Sequence, residues 1–182
     1  LETKYTSGRA LGTLAGRNLV TVADLDRAAQ YNPSSISKNG YAYAIAAIPD
    51  ADHKAAAYKR IMEDSSLSND ALTSTANGFL RGDVELRTPY YKPFFDSLLS
   101  MWDTRSIGMA TRIVRGLYPR SLYNYGSAEG TGVSDNPSVA LAQEWLRKNP
   151  SAPSALRRLI LEAQDNAHRN MIGQQFNSSL SD

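Results

Sequence analysis

Trp102 to Pro119, WDTRSIGMATRIVRGLYP, carries the sharpest helix signal in the chain. Ile107, Ala110, Ile113, Val114 and Leu117 recur at helical spacing, while Gly108, Thr111, Arg112 and Arg115 fall on the opposite side. Such a stripe predicts a helix with one face buried. Asp103 or Thr104 is expected to cap its first free amides, and Pro119, which has no N–H to donate, is expected to stop it.

Outward from this stretch the same pattern repeats. Pro89 suits the first turn of a helix from Tyr90 to Trp102, with Tyr91, Phe94, Phe95, Leu98, Leu99 and Trp102 on one broad aromatic and aliphatic face. Before it, a start at Ser68 or Asn69 leads through Ala71, Leu72 and Ala76 to Phe79 and Leu80, with Gly82 as the stop. Asp50 is expected to cap a helix with Ala55, Tyr58, Ile61 and Met62 inside and Lys54, Lys59, Arg60 and Glu63 outside. A nearly uncharged run from Ser35 or Ser37 to Ile48 precedes it, which predicts a helix buried on more than one side. Thr21 with Asp24 resembles a capping box for a helix through Val22, Leu25, Ala28 and Ala29. Arg9 to Ala15 forms a short first helix closed by Gly16 and Asn18, both tolerant of a left-handed backbone.

In the other direction, residues 120–137 lack periodicity and contain three glycines, which predicts a long loop. A helix from Ser138 to Lys148 and a last one from Ser151 or Ser154 past Met171 follow, with FNSSLSD expected to fray. About nine helices and no period-two alternation predict an all-α fold, an array of antiparallel helical hairpins.

Composition narrows the function classes. Twenty basic and eighteen acidic residues, interspersed, give 182 residues a net charge of +2, too balanced for a nucleic-acid partner. No cysteine is present, so disulfides, thiolate metal sites and cysteine nucleophiles are excluded. No apolar run is long enough to span a membrane, and no signal-peptide layout opens the chain. Leu1 stands first, and the opening LETKYTSGRALGTLAGRN has the look of a helix already under way, so a C-terminal fragment of a longer protein is expected.

The W-x-x-R-S opening and G-L-Y-P end of the 102–119 stretch, PSAPSALRRLILEAQDNAHR at 150–169 and VTVADLDRAA at 20–29 occur in an order that resembles the C-terminal helical domain of the bacterial aminopeptidase N family, zinc peptidases of the gluzincin clan. The resemblance covers nearly the whole chain and extends to the C-terminal domain of endoplasmic-reticulum aminopeptidases. It implies one helical domain over residues 1–182 with a HEAT-like α-superhelix, although no sequence motif repeats at a fixed period. It also implies a cytoplasmic parent with zinc in an upstream catalytic domain of the same chain. This domain would then help to enclose the peptide-binding cavity and gate access to it.

The family's catalytic signatures are missing. His53 precedes Lys-Ala-Ala-Ala and His168 precedes Arg-Asn-Met-Ile, so no HExxH exists, and no GAMEN motif occurs. No catalytic residue, metal ligand or cofactor is therefore expected in this fragment. G-x-S-x-G is absent, and Gly126, Gly130 and Gly132 form no phosphate-binding fingerprint. Glu63-Asp64 reads as solvated charge beside a turn. For the peptide substrate of the implied parent, Arg105, Arg112 and Arg115, with Tyr90 and Tyr91, are the candidate contacts, because guanidinium forks match a peptide carboxylate. The competing account is that these arginines line a solvated face or cap a neighbouring helix end. Phe94, Phe95, Leu99 and Trp102 fit either a groove or a core, and Arg157-Arg158 either an anion site or a structural pair. A free-standing helical-repeat adaptor binding a protein or peptide is the alternative function.

Overall fold

The closing turn of the first helix shows how locally much of this fold is written. The computed structural model describes residues 2–31, 34–119 and 137–179. In it α1 spans Glu2–Ala15, starting earlier than the periodicity of its apolar residues predicts. Asn18 takes a positive φ of 55°, Leu19 N donates to Leu14 O at 2.9 Å, and Asn18 N to Ala15 O at 3.0 Å. These are the paired bonds of a Schellman stop.

Among the described residues there are nine α-helices, two short 3-10 helices and no strand, so the chain is all-α. The remaining helices are α2 (Val22–Tyr31), α3 (Ser35–Ala47), α4 (Ala51–Glu63), α5 (Asn69–Phe79), α6 (Tyr91–Thr104), α7 (Ile107–Leu117), α8 (Pro137–Lys148) and α9 (Ser154–Ser179). Val84–Leu86 and Thr88–Tyr90 are the 3-10 turns. The predicted 120–137 loop lies outside the described residues except for Pro137, which opens α8. The chain separates into two compact units, one of Leu1–Tyr90 with Arg105–Leu117, the other of Tyr91–Thr104 with Tyr118–Asp182.

In the first unit, α3 packs on α1, α2, α4 and α5, and α5 packs on α7. Its sequence, whose one charged residue is Lys38 near the start, explains that central place, with Ala42, Ala44, Ala46, Ala47 and Ile48 all buried. Close approach depends on two glycines. A Cβ on Gly12 would fall 1.8 Å from the Tyr43 ring, and one on Gly78 2.2 Å from the Tyr43 carbonyl oxygen. The helices meet at Tyr43, whose hydroxyl accepts a bond from Arg81 Nε at 2.7 Å.

Several starts are the predicted ones. Thr21 and Asp24 bond reciprocally, Thr21 N to Asp24 Oδ2 at 2.9 Å and Asp24 N to Thr21 Oγ1 at 3.2 Å. Asp50 accepts from His53 N at 2.8 Å, and Ser68 from Ala71 N at 3.2 Å. Other starts differ. α3 is capped by Ser34, which accepts from Ser37 N at 3.2 Å. α7 is capped by Ser106, which accepts from Met109 N at 3.4 Å, because Asp103 and Thr104 still belong to α6 and Thr104 donates back to Ser100 O at 2.7 Å. On α7, Ala110, Ile113, Val114 and Leu117 are buried as predicted, but Ile107, in the exposed first turn, is 73% accessible.

α4 carries the largest correction. Lys54, expected outside, is fully buried, and Ala55, expected inside, is exposed. The inner stripe is Lys54, Ala57, Tyr58 and Ile61, an i, i+3, i+4, i+7 set that keeps Tyr58 and Ile61 of the predicted stripe but has Lys54 in place of Ala55.

In the second unit, α6 packs on α8, and α8 on α9. Tyr91, Phe94, Phe95, Leu98 and Met101 line the inner face of α6, while Leu99, placed there by the sequence pattern, is 37% exposed. Tyr118 sets its ring at right angles to both phenylalanines, with centroids 6.4 Å from Phe94 and 6.0 Å from Phe95. This makes the aromatic face a core. Arg157 Nη1 donates to Leu146 O at 2.8 Å and Asn149 O at 2.6 Å, closing the end of α8, and Arg158 pairs with Glu162 at 2.7 Å. Both arginines are thus occupied structurally. α9 continues to Ser179, beyond the point where fraying is expected.

Candidate functional site

The three candidate arginines fall in the first unit but in different surroundings. Arg105 sits in the turn before α7, and its Nη2 donates to Met62 O at 2.7 Å. Met62 is next to the last residue of α4, so the guanidinium satisfies a carbonyl that the helix itself leaves open. Arg112 is exposed and its Nη1 donates to Gly108 O one turn back at 3.1 Å. Arg115 is exposed in the last turn of the same helix, where a cation suits the negative end of the helix dipole. Arg112 and Arg115, three residues apart, share the outward face of α7.

Tyr90 closes the second 3-10 turn and stacks against Tyr58 at 4.7 Å and Phe79 at 5.4 Å between centroids. Burial and then the Asp52 carboxylate push its phenol above the usual range. Tyr91 belongs to the second unit and is buried there at the start of α6. The structure therefore joins Tyr90 to an aromatic cluster of α4 and α5 that sequence reasoning missed.

A second missed group adjoins the α3, α4 and α5 ends. Lys54 Nζ donates to Ala46 O at 2.7 Å and to Gly78 O at 3.3 Å. Burial, and next the Arg87 charge, push the ammonium down to about 8, with Asp50 acting the other way. Arg87 is itself buried. The spacing of Lys54 to Ala57, Tyr58 and Ile61 was the signal available, and residue type overrode it.

Among the described residues no group of three or more His, Cys, Asp or Glu side chains converges as a metal site. His53 Nδ1 lies 2.8 Å from Asp50 Oδ2 at the start of α4, and His168 is exposed on α9. These residues do not fit a zinc centre, which needs three or four convergent donors. No described helix is long and apolar enough to cross a membrane. The arrangement can bind an anion through exposed guanidinium groups.

Residues 7–169 match the family model described as the ERAP1-like C-terminal domain. An aminopeptidase N from Streptomyces lividans is 27% identical over 175 residues, an alignment covering 95% of this chain and 18% of the relative. The chain spans under a fifth of that curated relative's length.

Proposed function

The chain belongs to the family of ERAP1-like C-terminal domains, and from that premise we propose that it is the non-catalytic C-terminal domain of a zinc-dependent aminopeptidase N. The observation that carries this is the match with an aminopeptidase N along 95% of the chain. The zinc and the chemistry belong, in this reading, to an upstream catalytic domain of the same polypeptide, in the cytoplasm. This domain supplies wall and gate to the peptide cavity.

Its own residues then act by binding and orientation. Arg112 and Arg115 present guanidinium groups outward from one helix face, suited to a peptide's terminal carboxylate. Arg105 acts by holding the turn that leads into that helix onto the end of α4.

The test is steady-state hydrolysis by an aminopeptidase N carrying this domain, with and without Arg112→Ala and Arg115→Ala together. For a peptide with a free C-terminus, kcat/KM should fall about fivefold, chiefly through KM, while an aminoacyl p-nitroanilide, which has no carboxylate, should be unaffected. Equal losses on both substrates would remove the arginines from substrate binding. Undiminished activity after deletion of the whole domain would remove the domain from the cavity and favour a free-standing adaptor.

A further inference from the structure

Lys54 has no exposed surface, yet its ammonium bonds only main-chain oxygens in the described structure, Ala46 O and Gly78 O. Ala46 and Gly78 are each the residue before the last of their helices, α3 and α5. Helix C-termini concentrate partial negative charge on their last carbonyls, although Gly78 O here also accepts from Arg81 N at 2.9 Å. Two such ends converge on one lysine. That attraction stands against the cost of taking an ammonium out of water, which is large wherever no carboxylate faces it closely.

The charged groups around it do not supply one. Tyr43 to Ile48 at the end of α3 include no charged side chain, and the Tyr43 phenol is held by Arg81. Ala71 to Leu80 of α5 carry no charge. The stretch after α5 brings Arg87, only 3% exposed, whose charge opposes that of Lys54. On α4 itself Asp50 attracts the ammonium, but its carboxylate is half exposed and engaged by His53. The neighbouring Asp52 is exposed, and Tyr58 lies one turn further on.

We propose that Lys54 makes the junction of α3, α4 and α5 a proton-operated joint, stressed while the ammonium is charged and tightened when the amine is neutral. A neutral amine keeps two N–H donors, one for each carbonyl, so both bonds survive loss of the proton while the desolvated charge does not. The sign of the linkage follows. In the unfolded chain Lys54 titrates near 10.5, and in the fold near 8. Below about 8 both states hold the proton and the stress is fully present. Between about 8 and 10.5 the unfolded state binds more protons, so stability rises with pH, by on the order of a hundredfold in the folding equilibrium. The joint opens more readily at neutral pH than at pH 9.

The experiment is a 13Cε NMR titration of the lysines in the wild-type 182-residue chain, paired with thermal melts from pH 7 to 9.5 of wild type, Lys54→Arg and Lys54→Met. The Lys54 resonance, identified by its absence from either variant, should titrate near pH 8, and the melting temperature of wild type should gain on both variants above pH 8. A Lys54 midpoint above 10, or profiles that stay parallel, would overturn the proposal. Should neither variant fold, the wild-type spectrum still decides, because a single lysine resonance titrating near 8 is the expected result.

Discussion

Helices α4 and α7 are both amphipathic, both basic, and part of the same unit, yet they handle their cations in opposite ways. α7 turns Arg112 and Arg115 outward and buries only Ala110, Ile113, Val114 and Leu117. α4 turns Lys59 and Arg60 outward but carries Lys54 into the junction with α3 and α5. The difference lies in what faces each helix. The buried residues of α7 are apolar throughout, whereas the start of α4 meets two helix ends that present carbonyl oxygens to Lys54. A buried cation is tolerated where the backbone presents an acceptor.

The comparison breaks most visibly at the apolar positions that the two helices share. Ile61 of α4 and Ile113 of α7 are both fully buried. Ile61→Ala and Ile113→Ala should each cost about 2–5 kcal/mol, read from urea denaturation curves with unchanged slope. If Ile61→Ala cost less than about 1 kcal/mol, α4 would be a loosely held element and the junction around Lys54 would lose its rigid frame. A similar loss in both helices would locate their difference in the charged residues alone.

A smaller effect is expected where the helices are tied together. Arg105, in the turn before α7, donates to the Met62 carbonyl at the end of α4. Arg105→Ala should destabilise by about 1 kcal/mol, since a half-buried charge-assisted bond is lost but water can reach the freed carbonyl. Arg105→Lys should recover only part of that loss, because an ammonium lacks the planar reach of the guanidinium. The melting temperatures of the two variants measure the difference.

Local chemistry was legible in the sequence, and long-range placement was not. The Thr21–Asp24 box, the Asp50 and Ser68 caps and the Asn18 stop are settled within four or five residues of chain, so residue type and spacing suffice. Ser106 was missed in favour of Asp103 or Thr104 because all three can cap, and the choice depends on where α6 ends. Lys54 was assigned outward on charge alone, since its acceptors, Ala46 O and Gly78 O, are 8 and 24 residues away. Among the candidate contacts, the pattern put Arg112 and Arg115 outside, and the competing account of an arginine capping a neighbouring helix end holds for Arg105, but which carbonyl it meets, 43 residues back, is not carried by local spacing. Tyr90 and Tyr91 are adjacent in sequence and fall in different units, a division that periodicity does not carry.

The smallest expected effect sharpens the contrast most. Arg112 donates one turn back along its own helix, and Arg115 is exposed in the last turn, where a cation suits the helix end. Arg112→Ala and Arg115→Ala should each change stability by no more than about 0.5 kcal/mol, and 0.5 M salt should shrink even that. The comparison with Arg105→Ala is then informative in both directions. A near-silent pair means that the outward cations of α7 are retained for something other than the fold, as substrate contact requires. A loss above about 1 kcal/mol for either would make that arginine a structural tie like Arg105, and α7 would resemble α4 in using its cations to hold helices together.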